Sequence, residues 1–140
     1  MTFRKSRFLL LLLFPLVSAQ AATLPPGFEE TRVATGLNPV TMTFAPDGRL
    51  FLCEKHGLLR VVSGGKLLEK PVLDLTGTVD SWNERGLLTV CLDPEFSRNG
   101  WIYVYYTHNR DRKDDKHESS NNRVSRFTMK GDVADPSSER

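Results

Sequence analysis

The sequence predicts an all-β protein of the propeller type, and two observations support this prediction. Residues 41–52 (TMTFAPDGRLFL) and 89–104 (TVCLDPEFSRNGWIYV) repeat one pattern: a strand-like run, a Pro-acid turn with a glycine, and a second strand-like run. After residue 21, short apolar runs alternate with polar turns, and no stretch has helical periodicity. A repeat of this period is typical of propeller blades and other repeat arrays.

The number of repeats sets the expected domain organisation. One such unit cannot bury both faces of its sheet, and about three units are usually needed for a stable stack. Residues 22–140 hold about two units. We therefore expect about two blades without any helix, forming the N-terminal fragment of a larger propeller domain.

Residues 1–21 have the features of a secretory signal peptide. Basic residues at positions 4–7 precede the apolar run FLLLLLFPLV at 8–17, and Ala-Gln-Ala at 19–21 is a small-x-small cleavage site. The apolar run is shorter than the about 20 residues that a transmembrane helix needs. We expect cleavage before Ala22 and export to the periplasm or the extracellular space. The alternative is an uncleaved membrane anchor.

The charge and cysteine content limit the classes of partner. The chain has 19 Lys and Arg against 17 Asp and Glu. Three of the basic residues belong to the signal peptide, so residues 22–140 have 16 against 17, a net charge of −1. This charge gives no reason to expect nucleic acid or an anionic membrane as partner. Cys53 and Cys91 would permit a disulfide in an exported chain, and two buried free thiols are the alternative.

The first unit is predicted to begin after an extended entry at residues 24–28 (LPPGF), where consecutive prolines exclude a helix. Residues 30–34 alternate weakly and are a candidate strand. Pro46-Asp47-Gly48 has the residues that a tight turn requires, and residues 63–66 (SGGK) are a hairpin turn. Four strands are expected in this unit, at 40–45, 49–53, 58–62 and 70–75.

The second unit is predicted to have strands at 86–92, 101–107 and 123–129, with a polar insertion at 108–122. Residues 131–140 are polar, and we expect no fourth strand there. Four aromatic residues in the second strand alternate, which favours packing between blades over stacking against a sugar. They are Trp101, Tyr103, Tyr105 and Tyr106.

Residues 80–88 (DSWNERGLL) are the candidate functional segment. In a propeller, the residues that precede the innermost strand of a blade lie near the mouth of the central channel, where ligands bind. Glu84 would then direct a carboxylate into a concave site, with Arg85 beside it. The alternative is an ordinary Glu-Arg pair on the surface.

The histidines and the insertion do not form a recognisable catalytic or metal site. His56, His108 and His117 are expected to be solvated loop residues. The insertion contains acidic residues but lacks the glycine and the oxygen spacing of a calcium loop, and basic residues are interleaved with them. We predict no metal site here, and the acidic residues concerned are Asp111, Asp114 and Asp115.

Three sequence runs resemble one known family. Residues 83–107 (NERGLLTVCLDPEFSRNGWIYVYYT) and 121–128 (NNRVSRFT) resemble the glucose/sorbosone dehydrogenase family, and residues 40–62 are similar to its opening blade. The resemblance implies a six-bladed β-propeller and an exported oxidoreductase that uses pyrroloquinoline quinone. Such enzymes oxidise the anomeric carbon of aldose sugars by hydride transfer, with a histidine base and Ca²⁺ assisting the cofactor.

The resemblance also assigns residues. The family has Gln or Glu on the substrate side of the quinone pocket at the position of Glu84, followed here by Arg85 and Gly86. Thr89 replaces a common glycine, and Asp93 replaces a frequent histidine. The family's catalytic histidine, its quinone clamps and its calcium ligands lie in later blades, so we expect no catalytic residue in this chain and no activity from it alone. The alternative is a non-catalytic propeller module that binds carbohydrate or protein.

Overall fold

The computed structural model describes residues 23–110 and 120–140, which leaves the predicted signal peptide and residues 111–119 outside the described part. One compact unit ends at Thr31, and a second unit runs from Arg32 to Arg140. In the first unit, the amide of Phe28 donates to the carbonyl of Pro25 (3.1 Å) and closes a turn. The prediction of a strand at 30–34 is wrong: residues 29–33 lie exposed, so their alternation has no face to bury.

The second unit begins with an antiparallel sheet whose strands follow one another in sequence. Two short strands, β4 (Lys66–Leu67) and β5 (Leu73–Asp74), both pair with β3 (Leu58–Ser63). The paired residues are Val62 with Leu67 and Leu59 with Leu73. The strand predicted at 70–75 is therefore confirmed only for Leu73–Asp74, and the separate strand at Lys66–Leu67 was not predicted. Between β4 and β5 the chain leaves the sheet. Pro71 lies there and has no amide hydrogen to donate to a neighbouring strand. The strands are β1 Pro39–Phe44, β2 Leu50–Glu54, β3 Leu58–Ser63, β4 Lys66–Leu67 and β5 Leu73–Asp74.

The other sheet has four antiparallel strands in sequence order: β6 (Leu87–Leu92), β7 (Trp101–His108), β8 (Asn121–Lys130) and β9 (Val133–Asp135). The prediction that this unit lacks a fourth strand is therefore wrong. Gly131 has φ of 62°, which allows a two-residue turn that pairs Lys130 with Val133. Ala134 is buried and its amide donates to the carbonyl of Val72 (2.8 Å), so β9 also attaches to the first sheet. The strands are β6 Leu87–Leu92, β7 Trp101–His108, β8 Asn121–Lys130 and β9 Val133–Asp135.

A single helical turn, α1 (Phe96–Asn99), lies between β6 and β7, although no helix was expected after the signal peptide. The Asp93 carboxylate accepts the amide of Glu95 (2.9 Å) and supports the start of this turn. Gly100 ends it in the left-handed conformation, with φ of 66°. A 3-10 turn also forms at Pro136–Ser138, where the Asp135 side chain accepts the amide of Ser137.

The two sheets pack face to face around one hydrophobic core. The rings of Phe51 and Phe96 meet edge to face with centroids 6.3 Å apart. The largest completely buried side chains come from both sheets: Phe51, Leu59 and Val61 from the first, and Leu87, Ile102, Val104, Tyr106 and Phe127 from the second. Tyr106 alone of the aromatic run belongs to this core, because Trp101, Tyr103 and Tyr105 are only half-buried on the opposite face of β7.

The outer face of the first sheet has much less cover. Leu50, Leu52 and Val62 form a small cluster there with Leu37 and Leu67. On strand β1, three apolar side chains remain largely accessible: Val40 (46%), Met42 (63%) and Phe44 (67%).

Candidate functional site

Three connections meet at one end of the two sheets: the β2–β3 turn, the β5–β6 connection and the β7–β8 connection. Backbone hydrogen bonds hold them together, because the amide of Leu87 donates to the carbonyl of Lys55 (3.1 Å) and the amide of Asp80 to that of Thr107 (2.9 Å). The amide of Asn109 donates to the carbonyl of Thr78 (2.8 Å). The segment that carries Glu84 therefore lies at the same end as the start and finish of the β7–β8 connection.

Asp80 anchors the β5–β6 connection from inside. Its side chain is 1% exposed. One carboxylate oxygen accepts the amide of Trp82 (3.0 Å), and the other accepts Arg85 Nη1 (2.7 Å) and Ser120 Oγ (2.6 Å). Three donors on one buried carboxylate satisfy the charge that burial would otherwise penalise. This residue was not singled out from the sequence, where nothing distinguishes it from a solvated loop aspartate.

The conformation of the loop after Asp80 depends on local geometry. The amide of Arg85 donates to the carbonyl of Trp82 (3.0 Å), which closes a turn over Asn83, whose φ is 49°. Gly86 follows with φ of 153°, and a Cβ there would lie 2.7 Å from the carbonyl oxygen of Lys55. A side chain at position 86 would therefore separate this loop from the β2–β3 turn.

The two candidate residues have different surroundings. Glu84 is exposed at the tip of this loop. The Arg85 side chain is 33% exposed, forms an ion pair with Asp80, and has its guanidinium carbon 5.5 Å from the centroid of the Trp82 ring. Arg85 therefore supports the loop, while Glu84 is the carboxylate that the loop exposes.

The histidines near this end differ from one another. His56 is exposed in the β2–β3 turn, as predicted, and its Nδ1 lies 3.1 Å from Ser81 Oγ. His108 is a correction, because it ends strand β7, is half-buried and packs edge to face with Tyr106 (centroids 6.3 Å apart). His117 and the acidic residues of the insertion lie outside the described residues. Within residues 23–110 and 120–140, no group of three or more His, Cys, Asp or Glu side chains is arranged to hold a metal ion.

Asp93, which departs from the resembled family, stabilises the β6–β7 turn. Its carboxylate accepts Asn99 Nδ2, the Glu95 amide and the Tyr103 hydroxyl, all at 2.9 Å. The first two of these hydrogen bonds lower the pKa of the Asp93 carboxyl, and the carboxylate in turn raises the pKa of Tyr103. The residue thus organises a turn at the end opposite to Glu84.

At the same opposite end, Arg49 links the two sheets. Its guanidinium pairs with Asp47 (2.7 Å) in its own turn and with Asp132 (2.9 Å) in the β8–β9 turn, and also donates to the carbonyl of Gly131 (2.9 Å). The hydrogen bond from Arg49 lowers the pKa of the Asp47 carboxyl. Arg49 is a structural link, because its guanidinium is paired with the carboxylates of Asp47 and Asp132.

Both cysteines are free thiols. Cys53 is buried in the core between the sheets, and Cys91 is exposed on the outer face of the second sheet. The two form no disulfide, and the alternative of two buried free thiols is right for Cys53 and wrong for Cys91.

Comparison with known proteins places these features in one context. The family model for glucose/sorbosone dehydrogenase matches residues 37–139. A Thermus thermophilus oxidoreductase described as a glucose dehydrogenase has 28% identity and a TM-score of 0.62, over 74% of this chain and 29% of its own. The pyrroloquinoline-quinone-bound aldose sugar dehydrogenase of Streptomyces coelicolor has the same fold, with 22% identity and a TM-score of 0.57 over 76% of this chain and 29% of its own.

A curated relative of a different kind also matches. The Hedgehog-interacting protein of Mus musculus is 39% identical in an 88-residue alignment that covers 57% of this chain and 13% of that protein. The chain thus spans less than a third of the length of each of these relatives. None of the helices in the part of the chain that the structure describes is long and apolar enough to cross a bilayer.

Proposed function

Because the chain belongs to the glucose/sorbosone dehydrogenase family, we propose that the protein containing it is an exported oxidoreductase that oxidises an aldose at the anomeric carbon. The two sheets are blades of the β-propeller fold that the solved relatives share. In this proposal, residues 22–140 are the first two blades of a larger propeller. When bound, pyrroloquinoline quinone with Ca²⁺ supplies the hydride acceptor.

The observation that supports this proposal is that a fixed loop exposes the carboxylate of Glu84. Its loop is tied to the buried Asp80 through Trp82 and Arg85, and Gly86 brings it against the β2–β3 turn. Because the backbone of this loop is already ordered, its carboxylate can accept a hydrogen bond from a sugar hydroxyl without the entropy cost of ordering the loop. It can also stabilise positive charge that develops on the sugar as hydride leaves.

The described residues do not form a complete quinone site. The quinone has carboxylates that need cationic partners, and the Arg85 guanidinium at this end is already paired with Asp80 at 2.7 Å. The resemblance puts the quinone clamps and the catalytic histidine in later blades. We therefore assign this chain one wall of the substrate site.

Reconstitution of the full-length protein tests the proposal. Purified protein is incubated with pyrroloquinoline quinone and Ca²⁺, and the oxidation of D-glucose, D-galactose and D-xylose is followed with a redox dye. We expect quinone-dependent turnover of at least one aldose. Protein that binds the quinone but oxidises none of these sugars would contradict the proposed activity.

A non-catalytic binding module is the second candidate function. The observation in its favour is the 39% identity to the Hedgehog-interacting protein, a relative whose name describes a protein partner. The same reconstitution separates the two functions, because a module would take up no quinone in equilibrium dialysis. A full-length protein that excludes the quinone and yet binds a protein or a carbohydrate would establish the second candidate.

Export is part of the proposal and has its own test. Cleavage after the Ala-Gln-Ala at 19–21 would leave Ala22-Thr23-Leu24-Pro25 as the first residues of the mature protein. N-terminal sequencing of the protein from the periplasm or the medium should read this sequence. A mature protein that still contains residues 8–17 would contradict export by cleavage.

A further inference from the structure

Trp82 has an unusual position for a residue of its type. It is 51% exposed, lies in a polar connection rather than on a sheet face, and is two residues before Glu84. Tryptophan is mostly buried in folded proteins because its large apolar surface favours removal from water. An accessible indole beside a candidate site is therefore a feature that the packing of the two sheets does not explain.

The indole is held in place by the same carboxylate that anchors the loop. The backbone amide of Trp82 donates to Asp80 Oδ1 (3.0 Å). The Arg85 guanidinium lies over the ring, with its carbon 5.5 Å from the centroid, and donates to Asp80 Oδ2 (2.7 Å). Because Asp80 is buried, the backbone and the ring of Trp82 are both supported from the interior of the protein.

Such support lowers the cost of binding a ligand on the exposed part of the ring. A side chain that is already ordered loses little conformational freedom when a ligand packs on it. Sites for small polar molecules combine an aromatic surface with a few polar groups that fix the orientation. The same end of the two sheets carries the Glu84 carboxylate, the Ser81 hydroxyl and the exposed His56, whose Nδ1 is 3.1 Å from Ser81 Oγ.

We propose that Trp82 is a stacking surface for the pyranose ring of the substrate, with Arg85 and Asp80 as positioning residues that hold the indole. This inference rests on the proposed aldose oxidation. The apolar C–H face of a pyranose packs on an indole, while its hydroxyls take the hydrogen bonds of the neighbouring side chains. Trp82 then contributes to binding of the sugar and not to the hydride transfer.

Steady-state kinetics of the full-length protein with D-glucose test this assignment. Trp82→Ala should raise KM by about 10-fold, the scale of one lost aromatic contact, with kcat within about 3-fold. Trp82→Phe keeps an aromatic surface and should restore KM to within about 3-fold of wild type. Phe28→Ala, an aromatic side chain that is 72% exposed and lies outside both sheets, is the matched control and should leave both parameters unchanged.

A double-mutant cycle tests the positioning role of Arg85. Arg85→Gln should raise KM in the wild-type background, because the ring loses its support, but should change KM little when Trp82 is already alanine. A purely structural role of Arg85 would give the same effect in both backgrounds and would overturn its assignment. Thermal melting of each variant shows whether it is folded.

Two outcomes separate this inference from the proposed function. If wild type oxidises D-glucose and Trp82→Ala has an unchanged KM, the stacking role is wrong and the proposed function stands. If wild type oxidises no aldose, binding of methyl β-D-glucopyranoside is measured by saturation-transfer NMR. Binding that disappears in Trp82→Ala then supports the stacking role alone, and absence of binding to wild type overturns both.

Discussion

At the scale of single residues, Asp80 and Glu84 have different roles in the candidate site: Asp80 holds the loop, and Glu84 exposes a carboxylate. Asp80 is buried and accepts hydrogen bonds from Trp82, Arg85 and Ser120, whereas Glu84 is exposed two residues beyond the tryptophan that Asp80 supports. The position of Glu84 could be proposed from its place before Arg85-Gly86-Leu87-Leu88. The role of Asp80 could not, because it depends on Ser120, a contact 40 positions away in the chain.

Removal of the Glu84 carboxylate should impair catalysis without impairing folding. In the full-length protein we expect Glu84→Ala to lower kcat/KM for an aldose by roughly 10- to 1,000-fold, as for the loss of one well-placed polar group. Dye-linked oxidation by quinone-loaded enzyme measures it. Glu69→Ala, an exposed glutamate in the connection between β4 and β5, is the control. Full activity of Glu84→Ala beside an active wild type would show that Glu84 is only a surface residue.

The Cys53 thiol should be inert in the native protein. Burial between the sheets raises its pKa to about 12, so little nucleophilic thiolate is present at neutral pH. Because the folded pKa is above the ordinary value of 9.0, ionisation of Cys53 in the unfolded chain also lowers stability as the pH rises above about 9. Alkylation followed by peptide mass spectrometry should label Cys53 only after denaturation. Equal labelling of Cys53 in native and denatured protein would contradict its burial.

At the scale of elements, turns decide where the strands and helices begin and end. The hairpin turn at Gly64-Gly65 was predicted from its residues and is confirmed, because Ser63 pairs with Lys66 on either side of it. Strand β9 was missed because three residues, Val133–Asp135, carry too little pattern. Only Ala134 among them is buried, and its amide donates to the carbonyl of Val72. Helix α1 was missed for a similar reason, since one turn is stabilised by Asp93 and Gly100 rather than by periodicity.

Gly100 provides a prediction at this scale. Its φ is 66°, and a Cβ would lie 2.7 Å from the carbonyl oxygen of Met129, whose amide donates to the Gly100 carbonyl (2.7 Å). We expect Gly100→Ala to lower the free energy of unfolding by about 1 to 3 kcal/mol. Gly64→Ala is the matched control, with φ of 56° and no atom within 4 Å of its Cβ. Chemical denaturation of the full-length protein that gives equal losses would show that the close approach to Met129 is unimportant.

At the scale of the whole molecule, the outer face of the first sheet exposes apolar side chains to solvent. Val40, Met42 and Phe44 are at least 46% exposed on strand β1. Among the described residues, nothing covers these three side chains fully. In the proposed propeller, another blade covers this face, since each blade packs against both of its neighbours.

Residues 22–140 produced alone should therefore be marginally stable or aggregate. Replacing Met42 and Phe44 by lysine should reduce aggregation of this segment, since apolar surface is lost. The same pair of substitutions should destabilise the full-length protein, where the face is covered in our proposal. Light scattering and thermal melting measure the two effects. A cooperative monomeric melt of the unmodified segment above about 50 °C, ordinary for a complete domain, would contradict this prediction.

The ion pair between Arg49 and Asp132 has a consequence for the timing of folding. The two residues are 83 positions apart. At the about 5 to 20 residues per second of protein synthesis, Asp132 is made roughly 4 to 17 s after Arg49. Individual strands pair within microseconds, so the first sheet can form well before its partner turn exists. Until strands β6 to β8 are made and pack on it, the inner face of the first sheet, including Phe51 and Leu59, is open to water. A nascent chain stalled between positions 75 and 86 would therefore be the species most in need of a chaperone.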